Sequence, residues 1–549
     1  MKKNDEIKLD VAQSTACLSR RGFLRNAALF GAGLGMLGVA GCASDGGGSG
    51  SAAASGEQAS GGVLSLSQSS APRYLDPVKY TGSYESQIIC TICDTLVAYK
   101  MDLSEVGPNL ATDWTVSSDG LTYTFNLRDD VVFQPGEYQD GRTMVADDVK
   151  FSLERSAQQS ALKRLEMLDH CNVISDTQIE CVLKYPAASF ITALTDSGNV
   201  IIPRDECEGW GDDFGNHLIG TGPFKLKEFV LDQQAEVERN DTYWGPTPYL
   251  DGIIIRTISD MNQAVNALAT GELNIATSLT GEAINNVKNN SELVLEQSEG
   301  LHIAFVAFNQ VNGPTADQRV RKALIMALDR EELCKGAYPY GEASVASVPL
   351  PRGSWGYDEA VEELVPQYDP DAAKELLAEA GYADGLTLTL YISNTDARQR
   401  MATIVKQSLK NNLNVDVDIH VSDWGTFSEA AAAGTPDMYG VSWSWYPDPW
   451  FFLNQLFSTD MLGSMGNGMH FSHEEVDDLL AQANAVTDQD ERAKYYSDAL
   501  KAIVGYDPVI VYASELVNTG LTSDVQGYVQ RADNKAIICN SEVNISLAQ

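Results

Sequence analysis

The chain has 549 residues, 44% hydrophobic and 21% charged, too long for a single core at roughly 100–200 residues per domain and short for four. Such a composition excludes a collagen, a chain disordered throughout and a polytopic membrane protein. Lys and Arg total 38 against 76 Asp and Glu, a formal charge of −38, so the basic footprint that grips nucleic-acid phosphates is missing and no nucleic-acid partner is expected. The acid excess reads as a solvated, self-repelling surface, with a mild bias toward cationic ligands as the alternative.

The first elements form an address. Ser19-Arg20-Arg21-Gly22-Phe23-Leu24 precedes an apolar stretch from Ala27 to Ala40, shorter than the about 20 residues a helical membrane anchor needs. A charged start, a short apolar region and small residues at its end describe an export signal over residues 1–41. The paired arginines resemble the twin-arginine export motif. Val39-Ala40-Gly41-Cys42 resembles the lipobox of bacterial lipoproteins, which implies lipidation of Cys42. Residues 42–61, almost all Gly, Ser and Ala, read as a flexible tether. Together these place the mature chain on the extracytoplasmic face of the membrane, lipid-anchored, periplasmic or at the cell surface. The twin-arginine route resembles one for cargo already folded; an inserted cofactor and a lineage habit both fit.

Beyond the tether the elements alternate. Cys90-Thr-Ile-Cys93 lies on an apolar, helical stretch and reads as core packing rather than a redox site, which needs an accessible, polar thiol. Leu121 to Leu127 alternates apolar and polar residues, a half-buried strand. Ala146 to Leu153 predicts a helix. Cys171 and Cys181 flank a predicted hairpin that brings them within bridging range, bonded or free. Asp317 to Leu333 predicts one helix with Val320, Ala323, Leu324, Ala327 and Leu328 on a single face. Asp369-Pro370 opens a helix that Gly381 stops, and Ser472-His473-Glu474-Glu475 predicts a capping box. Strands and helices mix over the whole mature chain, so the class is α/β and multi-lobed.

Catalytic patterns are missing: no P-loop, GxSxG, HExxH or EF-hand loop occurs in the sequence. Gly220-Thr221-Gly222-Pro223-Phe224 begins like a nucleotide loop, but it lacks the third glycine and its proline removes a donor; a turn between strands is expected. His470 and His473 lie close together without a nearby Cys or third His, which is weak as a metal site. No enzyme, cofactor or metal is expected. The richest local feature is Val441-Ser442-Trp443-Ser444-Trp445-Tyr446-Pro447-Asp448-Pro449-Trp450, which holds three of the eight tryptophans. Its prolines force an extended path; it reads equally as the wall of a ligand pocket or as an ordinary core strand and turn.

An ordered series of segments carries a resemblance. It runs through Leu75-Asp76-Pro77, Cys93-Asp94-Thr95-Leu96, Pro108-Asn109-Leu110-Ala111 with Trp114, and Ser117 to Arg128. It continues through Ala146-Asp147-Asp148-Val149, Ile219 to Phe224, Arg239-Asn240 with Tyr243-Trp244-Gly245, Arg319-Val320-Arg321, Asp329-Arg330, Tyr368-Asp369-Pro370 and Ala380-Gly381-Tyr382. Over about Gly62 to Tyr528 the chain resembles the extracellular solute-binding proteins of ATP-binding-cassette importers, of the peptide/nickel type (family 5).

The resemblance implies a two-lobed, periplasmic-binding-protein-like fold (type II, cluster C) with an extra domain and a ligand cleft between the lobes. Domain I would comprise 62–90, 219–300 and 515–549, domain II 91–218 and domain III 301–514, with chain crossings near 300 and 515 as the hinge. It implies a monomeric receptor that closes on a peptide or peptide-like solute and hands it to permease and ATPase subunits. In the peptide receptors an aspartate pairs with the ligand's α-amino group, and Trp445 takes its place here, with Asp448 nearby at a turn position. That departure keeps a different solute open: a metal chelate, haem or an aromatic compound. Arg398 stands nearest to the arginine that dipeptide receptors use, and Gly82, Ser83 and Tyr84 match a cleft-facing stretch. Gly82, Ser83, Tyr84, Arg398, Trp443, Trp445, Tyr446 and Asp448 are therefore the expected ligand-binding residues.

Overall fold

The computed structural model describes residues 60–444 and 446–548. The signal, nearly all of the tether, the lipidation position Cys42 and the candidate Trp445 lie outside the described residues. Val63–Gln68 is the first strand of an eleven-stranded sheet that joins distant parts of the chain. Across it the order is Asp416–Ser422, Thr387–Ser393, Met438–Ser444, Leu293–Phe308, Val509–Thr522, Ile275–Ala276, Val63–Gln68, Gly252–Thr257, Gln234–Arg239 and Phe224–Val230, with Ala343–Ser344 added beside Val509–Thr522.

Two of these strands are long. Leu293–Phe308 has 16 residues and Val509–Thr522 has 14, and they pair antiparallel from Leu293 opposite Thr522 to Ala307 opposite Val509. The run from Leu301 to Phe308 is buried on both faces. Ala304, Val306 and Phe308 pack toward Val320, Leu324 and Met401, while Ile303, Phe305 and Ala307 pack toward Phe427, Phe452 and Leu500. Side chains alternate across a strand, so a sheet covered on both faces needs an unbroken apolar run.

At the other end of the sheet, Leu64, Leu66, Ile253 and Ile255 pack with the helix Ser83–Ile92 and with Ile538 and Ile545 near the C-terminus. A separate core forms over the antiparallel sheet Ala111–Val116, Thr122–Leu127, Gln178–Leu183 and Leu168–Ser175. There Tyr123 and Phe125 pack on Val149 and Leu153 of the helix Ala146–Gln159. Cys171 lies opposite Cys181 in the hairpin, the two sulfurs 3.4 Å apart as free thiols.

Three local expectations need correction. The helix predicted over Asp317 to Leu333 is two helices, Gln318–Met326 and Arg330–Ala337. The Asp329 carboxylate accepts the backbone N–H groups of Glu331 and Glu332 and restarts the chain as a new N-cap. The capping box at Ser472 does not form: His473 is the N-cap residue of Glu474–Ala485, and the Ser472 hydroxyl bonds that of Thr459 at 2.9 Å. The prolines after Tyr446 do not extend the chain throughout, because Pro449 opens the helix Pro449–Phe457.

Asp448 caps that helix through the Trp450 N–H at 3.0 Å. It is fully buried, accepts from Thr192 Oγ1 at 2.9 Å and meets Arg492 Nη2 at 2.8 Å. Arg492 lies on the helix Gln489–Gly505, so one carboxylate ties three elements. The predicted turn at Gly220 to Phe224 is present as a bend leading into Phe224–Val230. The Gly222 N–H donates to Ile92 O at 2.9 Å, and a Cβ on Gly222 would lie 2.6 Å from the Ile92 carbonyl carbon. This glycine serves a close backbone crossing.

Gly222→Ala is expected to destabilise the fold by about 1–3 kcal/mol through that overlap, read as a lower denaturation midpoint. Asp448→Ala leaves Arg492 buried without its carboxylate, and a loss of about 3–5 kcal/mol is expected in chemical denaturation; an unchanged midpoint would show that the pair carries no stability.

Candidate ligand cleft

Three parts of the chain meet around a cavity of about 1460 Å³. The first wall is the start of the helix Ser83–Ile92, where Gly82 is the N-cap residue. The Glu85 carboxylate accepts the Gly82 N–H at 3.1 Å and the Arg73 N–H at 2.8 Å, which fixes the approach to the helix. Gly82, Ser83 and Tyr84 all line the cavity, and the Tyr84 hydroxyl bonds that of Ser69 at 3.0 Å.

The second wall is the aromatic segment. Val441 and Tyr439 are buried in the core, while Trp443, Ser444, Tyr446 and Pro447 line the cavity. The strand therefore serves as core along its length and as pocket wall at its end. The third wall centres on Asp196. Its carboxylate accepts the hydroxyls of Tyr80 and Tyr446 and the Gly198 N–H at 2.8 Å. Burial pushes both phenols well above their ordinary range, and the Asp196 carboxylate adds to the shift, so both hydroxyls stay protonated and donate. The Arg164 guanidinium sits 5.1 Å from the Tyr446 ring centroid, a cation–π contact. Tyr446 and Asp196, 250 positions apart, thus close the cavity from opposite sides.

Farther along, Asp94 accepts from Trp244 Nε1 and Thr221 Oγ1, each at 2.9 Å. Burial raises its pKa in spite of these bonds. Arg128 lies over the Trp244 ring at 4.6 Å. At the C-terminal side Arg531 meets Asp533 through two bonds, Nε at 3.0 Å and Nη2 at 2.7 Å, and Lys535 follows.

Of the eight expected residues, the structure brings Gly82, Ser83, Tyr84, Trp443 and Tyr446 to one cavity. Arg398 does not line it; it is 5% exposed, and its guanidinium donates to Ser393 Oγ beneath the helix Asp396–Leu413. Asp448 does not line it either, being the buried partner of Arg492. Trp445 is outside the described residues. Tyr80, Asp196, Arg164, Arg531 and Lys535 were not legible in advance, because they come from four separate stretches with no shared motif. The nearest signal was aromatic: Tyr446 needs a hydrogen-bond partner once buried, but nothing in the sequence names Asp196 as that partner.

Among the described residues no helix is long and apolar enough to cross a membrane, and no group of three or more His, Cys, Asp or Glu side chains is placed to hold a metal ion.

Known proteins match the whole architecture. The chain is 28% identical over 503 residues to Di/tripeptide-binding protein 2 of Pseudomonas aeruginosa, covering 87% of this chain and 94% of that protein. It is 29% identical over 469 residues to Heme-binding protein A of Haemophilus influenzae, covering 80% and 84%. The solved structure of DppA from Helicobacter pylori in complex with the peptide STSA superposes with a TM-score of 0.72 at 28% identity, covering 89% of this chain and 99% of that one. The fold is thus the two-lobed α/β fold of the periplasmic binding proteins. A family model for the middle region of bacterial extracellular solute-binding proteins, family 5, matches residues 105–463, and the chain belongs to that family.

Proposed function

We propose that the chain is the substrate-binding lipoprotein of an ATP-binding-cassette importer, capturing peptides or peptide-like solutes outside the cell and delivering them to a permease and its ATPase. The observation that carries this reading is the cavity. Its 1460 Å³ exceeds the roughly 300–1,000 Å³ of pockets for drug-sized ligands, which gives room for a short peptide. Its walls combine the aromatic side chains of Trp443 and Trp244 with polar groups such as Ser83 and Asn109, as an extended chain of mixed side chains requires. The di/tripeptide-binding relative and the peptide complex of the similar structure point the same way.

Capture works by closure. In this reading 62–90, 219–300 and 515–549 form domain I, 91–218 domain II and 301–514 domain III. The paired strands Leu293–Phe308 and Val509–Thr522 then carry the hinge, and their register shift between Glu299 and His302 supports bending there. Ligand touching both lobes stabilises the closed form by its differential affinity. No bond in the solute is broken. Gly82, Ser83, Tyr84, Trp443 and Tyr446 act as contacts, and Trp445 joins them by its place in the aromatic segment. The export signal over 1–41 and lipidation at Cys42 hold the receptor at the outer face. Haem or a metal chelate is the second reading, supported by the haem-binding relative and by the aromatic walls.

Native mass spectrometry of the chain from Ala43 onward is expected to reveal co-purified masses spaced by amino-acid residues; a single adduct with metal isotopes would replace the peptide by the second reading. Trp443→Ala is expected to weaken binding of that ligand about 10-fold or more, the scale of a buried aromatic anchor, with the denaturation midpoint retained. Cys42→Ala is expected to leave the signal uncleaved or to release the protein from the membrane, and lipid on the variant chain would overturn the lipoprotein assignment.

A further inference from the structure

We propose that the cavity selects solutes with excess negative charge, through a cationic subsite centred on Lys535. The inference deepens the receptor reading above and rests on it only in taking this cavity as the ligand site. The chain carries twice as many acids as bases, 76 against 38. Its cavity reverses that balance, with six cations and five carboxylates on the lining.

The carboxylates are already engaged by the protein. Glu85 accepts the N–H groups of Arg73 and Gly82. Asp94 accepts from Trp244 and Thr221, and Asp196 from Tyr80, Tyr446 and the Gly198 N–H. Asp533 holds Arg531 through two bonds, and Glu542 accepts the Met101 N–H at 3.3 Å. A ligand ammonium therefore meets no carboxylate free of protein donors on these walls.

The cations are less fully matched. Lys100 pairs with Glu105, Arg128 with Asp130 and Arg531 with Asp533, while Arg164 lies 4.0 Å from Asp196. Among the described residues Arg73 and Lys535 form no ion pair. Arg73 is exposed, where water serves it; Lys535 is half-buried. Burial pushes the Lys535 ammonium toward deprotonation, but Cys90, Asp533 and Asp196 together outweigh that and raise its pKa. The structure thus keeps a charged ammonium partly out of water in the field of Asp533 and Asp196 but in direct ion-pair contact with neither, and a ligand carboxylate would supply that direct contact. Arg531, only 7% exposed and on the same segment, is already matched by Asp533, which leaves Lys535 as the directly available cation there. The acidic surface repels anions at long range, so selection falls to this short-range contact.

The test is calorimetric titration of the chain from Ala43 onward, which retains every described residue, with three tripeptides of similar size: Gly-Glu-Glu, Gly-Gln-Gln and Gly-Lys-Lys. A parallel thermal-shift series uses citrate and N-acetylglutamate, since bound ligand raises the melting temperature. Gly-Glu-Glu is expected to bind about 10-fold or more tighter than Gly-Gln-Gln, within the range of a desolvated charge pair. Lys535→Gln should abolish that preference, bringing the Gly-Glu-Glu to Gly-Gln-Gln affinity ratio close to one, and Lys535→Arg should retain it. If Gly-Gln-Gln or Gly-Lys-Lys binds as tightly as Gly-Glu-Glu, the anionic subsite is overturned and the peptide reading stands. If no tripeptide binds but citrate or N-acetylglutamate stabilises the protein through Lys535, the peptide reading falls and the subsite stands. Failure of every anionic solute to stabilise the protein overturns the subsite.

Discussion

The pairing of Leu293–Phe308 with Val509–Thr522 is the constraint on which the rest of the structure depends. Because these two strands run on through most of the sheet, one hydrogen-bonded ladder holds together cores built from residues near 64–93, 304–415 and 521–545. Backbone groups buried in such a ladder leave no inexpensive place to break it. The pairing is irregular at two points, between Glu299 and His302 and between Ala304 and Phe305. A Cβ on Gly300 would lie 2.6 Å from Glu515 O, so the strands approach each other there more closely than side chains allow. Next to that point Glu515 is fully buried and accepts the hydroxyls of Tyr338 and Ser442, and Glu299 accepts from Ser344 and Ser514. The ladder therefore continues past its first irregularity with Glu299 and one oxygen of Glu515 hydrogen-bonded, while Glu515 Oε2 is buried without a hydrogen-bond partner among the described residues.

The cavity follows from this frame. Elements at different positions of the frame each present a wall, and the walls meet through long-range polar contacts such as Tyr446 with Asp196 and Gln87 with the backbone of Ala536. The charge distribution inside is the reverse of that outside. Exposed acids are cheap to keep in water, whereas a carboxylate on the wall must be met by donors, and each of the five is. Cations with long stems can line such a wall while their heads reach polar surroundings.

Much of the fold was legible in local pattern. The alternation in Thr122–Leu127, the Asp369-Pro370 helix start and the hairpin that sets Cys171 opposite Cys181 all rest on short-range physics, and all are present. Local reading failed where a neighbour in space intervened: Thr459 engaged the hydroxyl of Ser472. It also failed where a second cap was hidden inside an apolar period, as at Asp329. For the cavity, the aromatic segment and Gly82 to Tyr84 were visible in sequence, while Asp196, Arg164 and Lys535 were not.

The sequence by itself determined the class of chain, the order of its elements and, through a series of spaced segments, its family, because each depends on residues near one another along the chain. Only the tertiary structure decided which side chains share a cavity and which are merely buried. Asp448 and Arg398 are polar residues near the aromatic segment or a helix start, and in sequence they resemble ligand contacts. Packing gave Asp448 to Arg492 and Arg398 to Ser393. A buried charge takes the partner that folding brings to it, and that partner lies 44 residues away for Asp448 and 250 for the Tyr446 hydroxyl. Separations of that length are set by the path of the sheet, which no local pattern encodes.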